Sequence, residues 1–343
     1  MLLKNGMPPE YEKIAFSVIE NTMLYLWSAA LRSAAVLGVA DKLVEGEKTA
    51  DQLAGELNVD AISLCRMMRI LASRGVFEEK SEGCFTLTSA AEFLRTDNPY
   101  SLRDAILMLT DTTFWLPVFE LPDRVRGKNV FKSIFGMVFY DYWSQQDHAS
   151  GDTLFHSGMS SMSKVENEVL VRNVEFPEHA TVVDVAGGYG NMLLNILRKN
   201  PTLKGILFDR PDVLSGNMLH QLGDNSRWTL TPGSFFEKCP AGDIYILKYI
   251  VMDWSDAEAI KILRCCRNAM LPNGKIVIME PVVSEGENSL GGCEIDLLLL
   301  ASFDGGRIRT ETELRDMLAK SGLRLERIIK TETYLSIVEA VAA

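Results

Sequence analysis

The chain has 343 residues, 47% of them hydrophobic and 24% charged, with Lys+Arg 35 against Asp+Glu 46 and a formal charge of −11. These proportions fit a folded protein of two domains or one large one, and exclude disordered, collagenous and coiled-coil chains. So acidic a surface repels phosphate backbones and anionic lipid, so neither nucleic acid nor membrane is an expected partner.

The N-terminus lacks a basic start followed by an apolar core, and no run of about 18 apolar residues follows, so the expected location is cytoplasmic. Cysteines at 65, 84, 239, 265, 266 and 293 form no Cys-x-x-Cys pair and have no histidine at ligand spacing. Neither a metal site nor a disulfide framework is expected. The histidines are few: His148, His156, His179 and His220.

Residues 14–44 carry apolar side chains almost all round a helical wheel, which predicts burial, here against a partner subunit. Thr49 with Gln52 spells a capping box for a helix ending near Asn58. A second helical run, residues 61–76, is followed by an alternating strand at 84–88. Helix, turn, helix and wing is a winged-helix pattern, which serves as a scaffold or as a DNA reader. The net charge, with only Arg66, Arg69 and Arg74 on the candidate recognition helix, favours the scaffold. Residues 100–165 read as helical and rich in aromatics and methionine, the composition of a core or of a pocket for a flat ligand.

From about residue 180, strands at 181–186, 203–209, 244–251 and 275–280 alternate with helices, two of them opened by Ser255-x-x-Glu258 and Thr310-x-x-Glu313. A final strand is predicted over 334–341. Repeated βα units with nearly continuous apolar strands predict an α/β, mostly parallel, doubly wound sheet. The first βα turn reads Asp184-Val-Ala-Gly-Gly-Tyr-Gly190, with the acid ahead of the glycines. Dinucleotide sites place their glycines as Gly-x-Gly-x-x-Gly instead. With Asp209 ending the next strand, placed to accept both hydroxyls of a ribose, the combination favours S-adenosyl-L-methionine over a dinucleotide.

Five ordered blocks resemble the two-domain AdoMet-dependent small-molecule O-methyltransferases related to caffeate and hydroxyindole O-methyltransferases: VVDVAGGYGNMLLNIL, FDRPDVL, GSFFEKCPAGDIYILKYIVMDWSD, LPNGKIVIMEPV and EIDLLLLASFDGGRIRTETELRDMLAKSGL. The resemblance covers essentially the whole chain. It implies a winged-helix-like dimerisation domain over residues 1–100, a helical linker and substrate-pocket region over 101–165, and a Rossmann-like class I methyltransferase domain over 166–343, assembled as a homodimer. Around the cofactor it implies Asp184, Gly188 and Gly190 near the methionine moiety and Asp209 on the ribose. Ser234 and Phe235 would flank adenine, and Lys248 and Ser163 would complete the shell. Pocket walls would be Met108, Leu109, Trp115, Phe155, Met159 and Ile308. Ala186 and Ser234 stand where the family usually has glycine and aspartate.

The catalytic set departs further. The family's general-base histidine is Met252 here, the glutamate that props it is Ile308, and only the third acid survives, as Glu280. Base and prop are lost together, which implies a changed mechanism. His156, in the helix that faces the methyl donor in the family, is a candidate replacement base, and Asp253 and Tyr249 flank the vacant position; His148, His179 and His220 look inert. The leading expectation is methyl transfer to an acidic phenolic hydroxyl, or a ring nitrogen, of a planar aromatic natural product. The alternative is an AdoMet-binding tailoring enzyme that transfers no methyl group.

Overall fold

The computed structural model of the protein describes residues 7–150, 154–283 and 290–343. The chain divides into two compact units, Met1–Asp111 and Thr112–Ala343.

The first unit opens with α1 (Pro9–Thr22) and α2 (Leu24–Leu37), separated by Met23 alone. No residue of α1 is buried, and Ile14, Phe16, Val18 and Ile19 lie exposed, whereas α2 buries Ala30, Ala34 and Ala35. By length and composition Pro9–Leu37, with mean hydropathy 1.3, passes the test for a membrane-crossing helix, although only 6% of that window is buried inside the chain. Then follow α3 (Val39–Lys42), β1 (Lys48–Thr49), α4 (Ala50–Leu57), α5 (Ala61–Ala72), β2 (Phe77–Ser81), β3 (Cys84–Leu87) and α6 (Arg103–Leu109). The Thr49–Gln52 capping box forms in both directions, at 3.2 and 2.8 Å, and Asn58 closes α4 in the left-handed region at φ 55°. The three strands pair antiparallel in the order β1-β3-β2, with Leu53, Leu64, Met68, Phe77 and Phe85 in the core.

The second unit begins with α7 (Thr112–Phe119), α8 (Leu121–Val125), α9 (Val130–Phe135), α10 (Phe139–Ser150) and α11 (Leu154–Arg172). The βα section comprises β4 (Thr181–Val185), α12 (Asn191–Lys199), β5 (Lys204–Asp209), α13 (Pro211–Leu214), β6 (Trp228–Pro232), β7 (Gly242–Lys248), α14 (Asp256–Ala269) and β8 (Met270–Glu280). It continues through β9 (Val282–Val283), α15 (Leu290–Ser302), β10 (Arg309–Thr310), α16 (Glu311–Lys320), β11 (Leu323–Lys330) and β12 (Ser336–Ala342).

Seven strands form one sheet in the order β11-β12-β8-β7-β4-β5-β6. β12 alone runs antiparallel to the other six strands. Strand order reverses between β4 and β7, and a crevice outside the strands' carboxyl ends at such a point is where open α/β sheets bind ligands. Apolar cores cover both faces, one containing Val182, Leu193, Ile246 and Val277, the other Val183, Tyr245, Ile262 and Ile278. Each buried Val, Ile or Leu contributes about 1.5–3 kcal/mol.

Three local details differ from the sequence-based expectation. β7 stops at Lys248 because Tyr249 turns left-handed, φ 57°, its N–H donating to Met279 O at 3.1 Å, and a tight 3-10 turn follows at Val251–Asp253. The Ser255 cap is not reciprocal: its hydroxyl donates to Glu258 Oε2 at 2.7 Å instead of leaving that carboxylate for the Ser255 N–H. Finally, β6 adds an edge strand that the pattern did not signal, since its side chains are mostly exposed.

Candidate active site

The turn after β4 closes around an acid. Ala186 adopts φ 51°, donating its N–H to Phe208 O at 2.7 Å. A left-handed non-glycine residue costs roughly 1–2 kcal/mol, which accounts for the family's usual glycine there. A Cβ on Gly187 would lie 2.5 Å from the Asp184 carboxyl and 2.6 Å from Leu207, so that position admits no side chain. Gly188 and Gly190 are left-handed, at φ 58° and 81°. Asp184 is buried, accepts from Leu193 N at 3.2 Å in the first turn of α12, and is pushed up to about 7 by that burial. Asp209 ends β5 and accepts from Gly188 N at 2.8 Å and Arg210 N at 2.7 Å. Its burial outweighs those donors and raises its pKa. Two acids thus bracket a glycine turn at the switch point. A carboxylate anchored by backbone donors suits a ribose diol, and open backbone suits close approach of the rest of an S-adenosylmethionine molecule.

Lys248, at the end of β7, is almost fully buried and ion-paired with Glu166 at 2.6 Å. It also donates to Ser163 Oγ at 3.0 Å and Asn167 Oδ1 at 3.2 Å. Glu166 Oε1 accepts from the hydroxyls of Tyr249, 2.7 Å, and Tyr334, 2.6 Å. Burial pushes Glu166 up, yet Lys248 and the two phenols together hold it below the usual carboxylate range. Asn167 Nδ2 is buried without a partner among the described residues. The lysine is therefore a member of a neutral pair that ties α11 to the sheet.

On the other side of the switch point, the Gly305–Gly306 loop packs backbone to backbone over Met252. A Cβ on Gly306 would lie 3.0 Å from Asp253 O and 3.1 Å from Met252 O, and Arg307 N donates to Met252 O at 2.8 Å. The same approach sets Ile308 and Met252 in one apolar cluster, with Met159, Ile295 and Phe303 packed against it. Glu280, at the end of β8, accepts from Met252 N at 3.0 Å through Oε2, while its buried Oε1 has no partner among the described residues. Burial pushes Glu280 up to about 7 and Asp253 up to about 8. Asp253 accepts a hydrogen bond from the Tyr140 hydroxyl. The guanidinium of Arg309, fully buried, fixes this turn by donating to Val251 O and Trp254 O, both at 2.8 Å, and to Asp256 at 2.9 Å.

An aromatic wall adjoins Asp253. Tyr140 stacks on Trp254 at 5.8 Å, Phe155 stacks on Trp143 at 5.6 Å, and both Tyr140 and Phe139 meet Phe303. Phe235 lies edge-on to Trp254 at 5.8 Å, and the neighbouring Ser234 hydroxyl caps Phe236 N at 3.2 Å. His156 sits against Tyr189, 5.3 Å between rings, and within electrostatic reach of Asp209, so it lies at the glycine-turn side of the crevice. Trp115 is half-buried on α7, which packs against α15. Met108, buried, and Leu109, exposed, are on α6 of the first unit. The His148 side chain falls outside the described residues; His179 is exposed at φ 62°, and His220 lies within the short 3-10 turn Leu219–Leu222.

Comparison with known proteins identifies the family and the cofactor. A family model of the O-methyltransferase domain matches residues 119–324, and one of the O-methyltransferase dimerisation domain matches residues 20–97. The chain belongs to the O-methyltransferase family. This methyltransferase is 36% identical over 319 residues to the phenazine O-methyltransferase PhzM of Lysobacter antibioticus, covering 92% of this chain and 93% of that one. Its structure is similar to CalO1, a methyltransferase in calicheamicin biosynthesis solved with SAH bound, at TM-score 0.88 and 36% identity over 98% and 100% of the two chains. It is also similar to NcsB1 from neocarzinostatin biosynthesis, solved with S-adenosylmethionine and 2-hydroxy-5-methyl naphthoic acid, at TM-score 0.73 and 29% identity over 93% and 96%. The methyltransferase uses S-adenosylmethionine as its cofactor.

Three members of the site were not singled out from sequence. Glu166 carries no motif signal. Tyr140 was one aromatic among many, and Arg309 stood inside a quoted block whose informative position was Ile308.

Proposed function

We propose that the methyltransferase alkylates an acidic phenolic hydroxyl, or a ring nitrogen, of a planar aromatic natural product, and that alignment of the reactants replaces base catalysis. One observation carries this: Met252 and Ile308, where the family has histidine and glutamate, belong to one buried apolar cluster against which Met159 and Phe303 pack. Of the relatives named above, PhzM is a phenazine O-methyltransferase and NcsB1 was solved with 2-hydroxy-5-methyl naphthoic acid, flat aromatics that the rings of Phe139, Tyr140 and Phe303 suit.

Bound S-adenosylmethionine supplies an electrophilic methyl group on a sulfonium that leaves readily. In this proposal Asp184, Gly188, Gly190, Asp209, Ser234, Phe235, Lys248 and Ser163 hold and orient it, with Asp209 gripping the ribose diol. Phe155, Met159, Ile308 and Met252 press the acceptor into line, with Trp115 as a further pocket wall. Met252 accepts no proton. Holding reactants aligned supplies effective molarities of ~10⁵–10⁸ M, against ~10²–10⁴ in rate for a positioned base, so alignment suffices for an acceptor that arrives ionised. The exposed apolar face of α1 and α2 is covered in this proposal by a second copy of the chain, as a homodimer in the cytoplasm, with neither nucleic acid nor membrane as partner.

The test uses methyl-labelled S-adenosylmethionine with hydroxyaromatics of matched shape. Label should pass to the acceptor, and log kcat/KM at pH 7 should fall as acceptor pKa rises. A rate indifferent to acceptor pKa, with a large loss in His156→Ala, would make His156 the base. Tight cofactor binding with no label transferred to any acceptor would favour a tailoring enzyme that moves no methyl group.

A further inference from the structure

We infer that Asp253, held in place by Tyr140, presents a neutral carboxyl group that donates a hydrogen bond to the ionised acceptor oxygen, so that the site recognises hydroxyaromatics as their anions. This rests on the proposed methyl transfer and names the state in which the acceptor is taken.

The argument begins with what surrounds Asp253. It follows Met252 in the 3-10 turn, is buried, and is paired with no cation among the described residues. From α10 the Tyr140 hydroxyl donates to Oδ2. From β8 the Glu280 carboxyl faces it with like charge. Arg309 is nearby, but each of its three nitrogens donates elsewhere, to Val251 O, Trp254 O and Asp256. Beyond Tyr140 stand Asp209 and Arg210, of opposite charge. Two carboxyl groups buried on either side of Met252 cannot both ionise cheaply, and a phenolate brought beside them would be a third negative charge. With Asp253 protonated, the same group becomes a donor whose other oxygen is already fixed by Tyr140. Burial supports this state, since it pushes Asp253 up to about 8, above neutral pH.

The sign follows. A carboxyl donor is lost as pH rises through its pKa, so affinity for the anion should fall above about pH 8, where a carboxylate base would instead gain. Tyr140 is a positioning residue. Its hydrogen bond favours the charged carboxylate, so removing it should move the alkaline loss to higher pH.

Alizarin, whose colour reports ionisation, can be titrated against the dimeric or monomeric enzyme saturated with S-adenosylhomocysteine, without turnover. We expect the bound dye to ionise at lower pH than the free dye. Asp253→Asn, which keeps a neutral donor, should preserve the shift and abolish the alkaline loss. Asp253→Leu should weaken binding of the anion roughly ten- to a hundredfold, the usual worth of a hydrogen bond to a charged group. Tyr140→Phe, which removes only a hydroxyl, should keep the anion but displace the alkaline limb upward. The inference is overturned if the dye binds neutral or not at all, or if anion binding rises through pH 8 and is lost in Asp253→Asn. A shifted dye that is never methylated would leave this inference standing and refute the proposed transfer.

Discussion

Replacing Asp209 by alanine tests the cofactor half of the site. Its carboxylate accepts two backbone N–H groups, Gly188 at 2.8 Å and Arg210 at 2.7 Å, and retains lone pairs for a diol. Two bonds from ribose hydroxyls to a charged acceptor are worth ~1.5–3 kcal/mol each, and water recovers part of that in the variant. The net loss should be roughly 2–4 kcal/mol, a thirtyfold to thousandfold increase in Kd. Both donors are only half-buried, so water satisfies them in the variant and the stability cost should be smaller, about 1–2 kcal/mol. Asp209→Asn should rescue little, because its amide group must face one of two N–H donors. Calorimetry with S-adenosylhomocysteine gives the first quantity and urea unfolding the second. The raised pKa adds a pH signature: wild-type affinity should weaken as pH falls through it, and the variant's should not. Unchanged affinity alongside reduced stability would show that Asp209 only staples the glycine turn.

Met252→His restores the family's imidazole at a position whose backbone N–H already donates to Glu280, so it should flatten the dependence of rate on acceptor pKa and raise turnover of weakly acidic phenols, by up to ~10²–10⁴; a slope unchanged from wild type would count against the proposed role of Met252. Gly187→Ala drives a methyl to 2.5 Å from Asp184 and should cost ~1–3 kcal/mol in urea unfolding, whereas Ala186→Gly, one residue earlier, relieves φ 51° and should cost nothing or stabilise by up to ~1 kcal/mol. Equal losses at the two positions would contradict the turn geometry. Phe16→Asp, on the exposed face of α1, should convert a dimer to monomer by light scattering at micromolar concentration; a wild-type monomer would remove the second copy from the proposal.

The sheet was legible because its strands are short, apolar and separated by capped helices, and the Thr49 and Thr310 boxes form as their spacing implies. The glycine turn between Asp184 and Asp209 was legible for a related reason: glycines and acids in fixed order have few other uses. Tyr249 was not, since nothing in its neighbourhood announces a left-handed residue inside an apolar run, and the strand was drawn three residues long as a result. Nor was Glu166. Its partners come from β7 and from the turn before β12, so only the closed sheet brings Lys248, Tyr249 and Tyr334 to one carboxylate. The same holds for Tyr140 and Asp253, 113 residues apart.

The reversal of strand order between β4 and β7 separates two inheritances within one crevice. Asp184, the glycine turn and Asp209 hang from β4 and β5, while Met252, Asp253, Glu280 and Ile308 hang from the ends of β7 and β8 and from the loop before β10. Each set is braced by its own backbone contacts, Gly188 and Leu193 on one side and the Arg309 clamp on the other. A histidine and a glutamate can therefore be exchanged for methionine and isoleucine on the β7 side without disturbing a hydrogen bond on the β4 side. Chemistry can drift in one half while the other keeps its ligand, and new acceptor loops could be transplanted onto this sheet as a unit bounded by Tyr249 and Thr310.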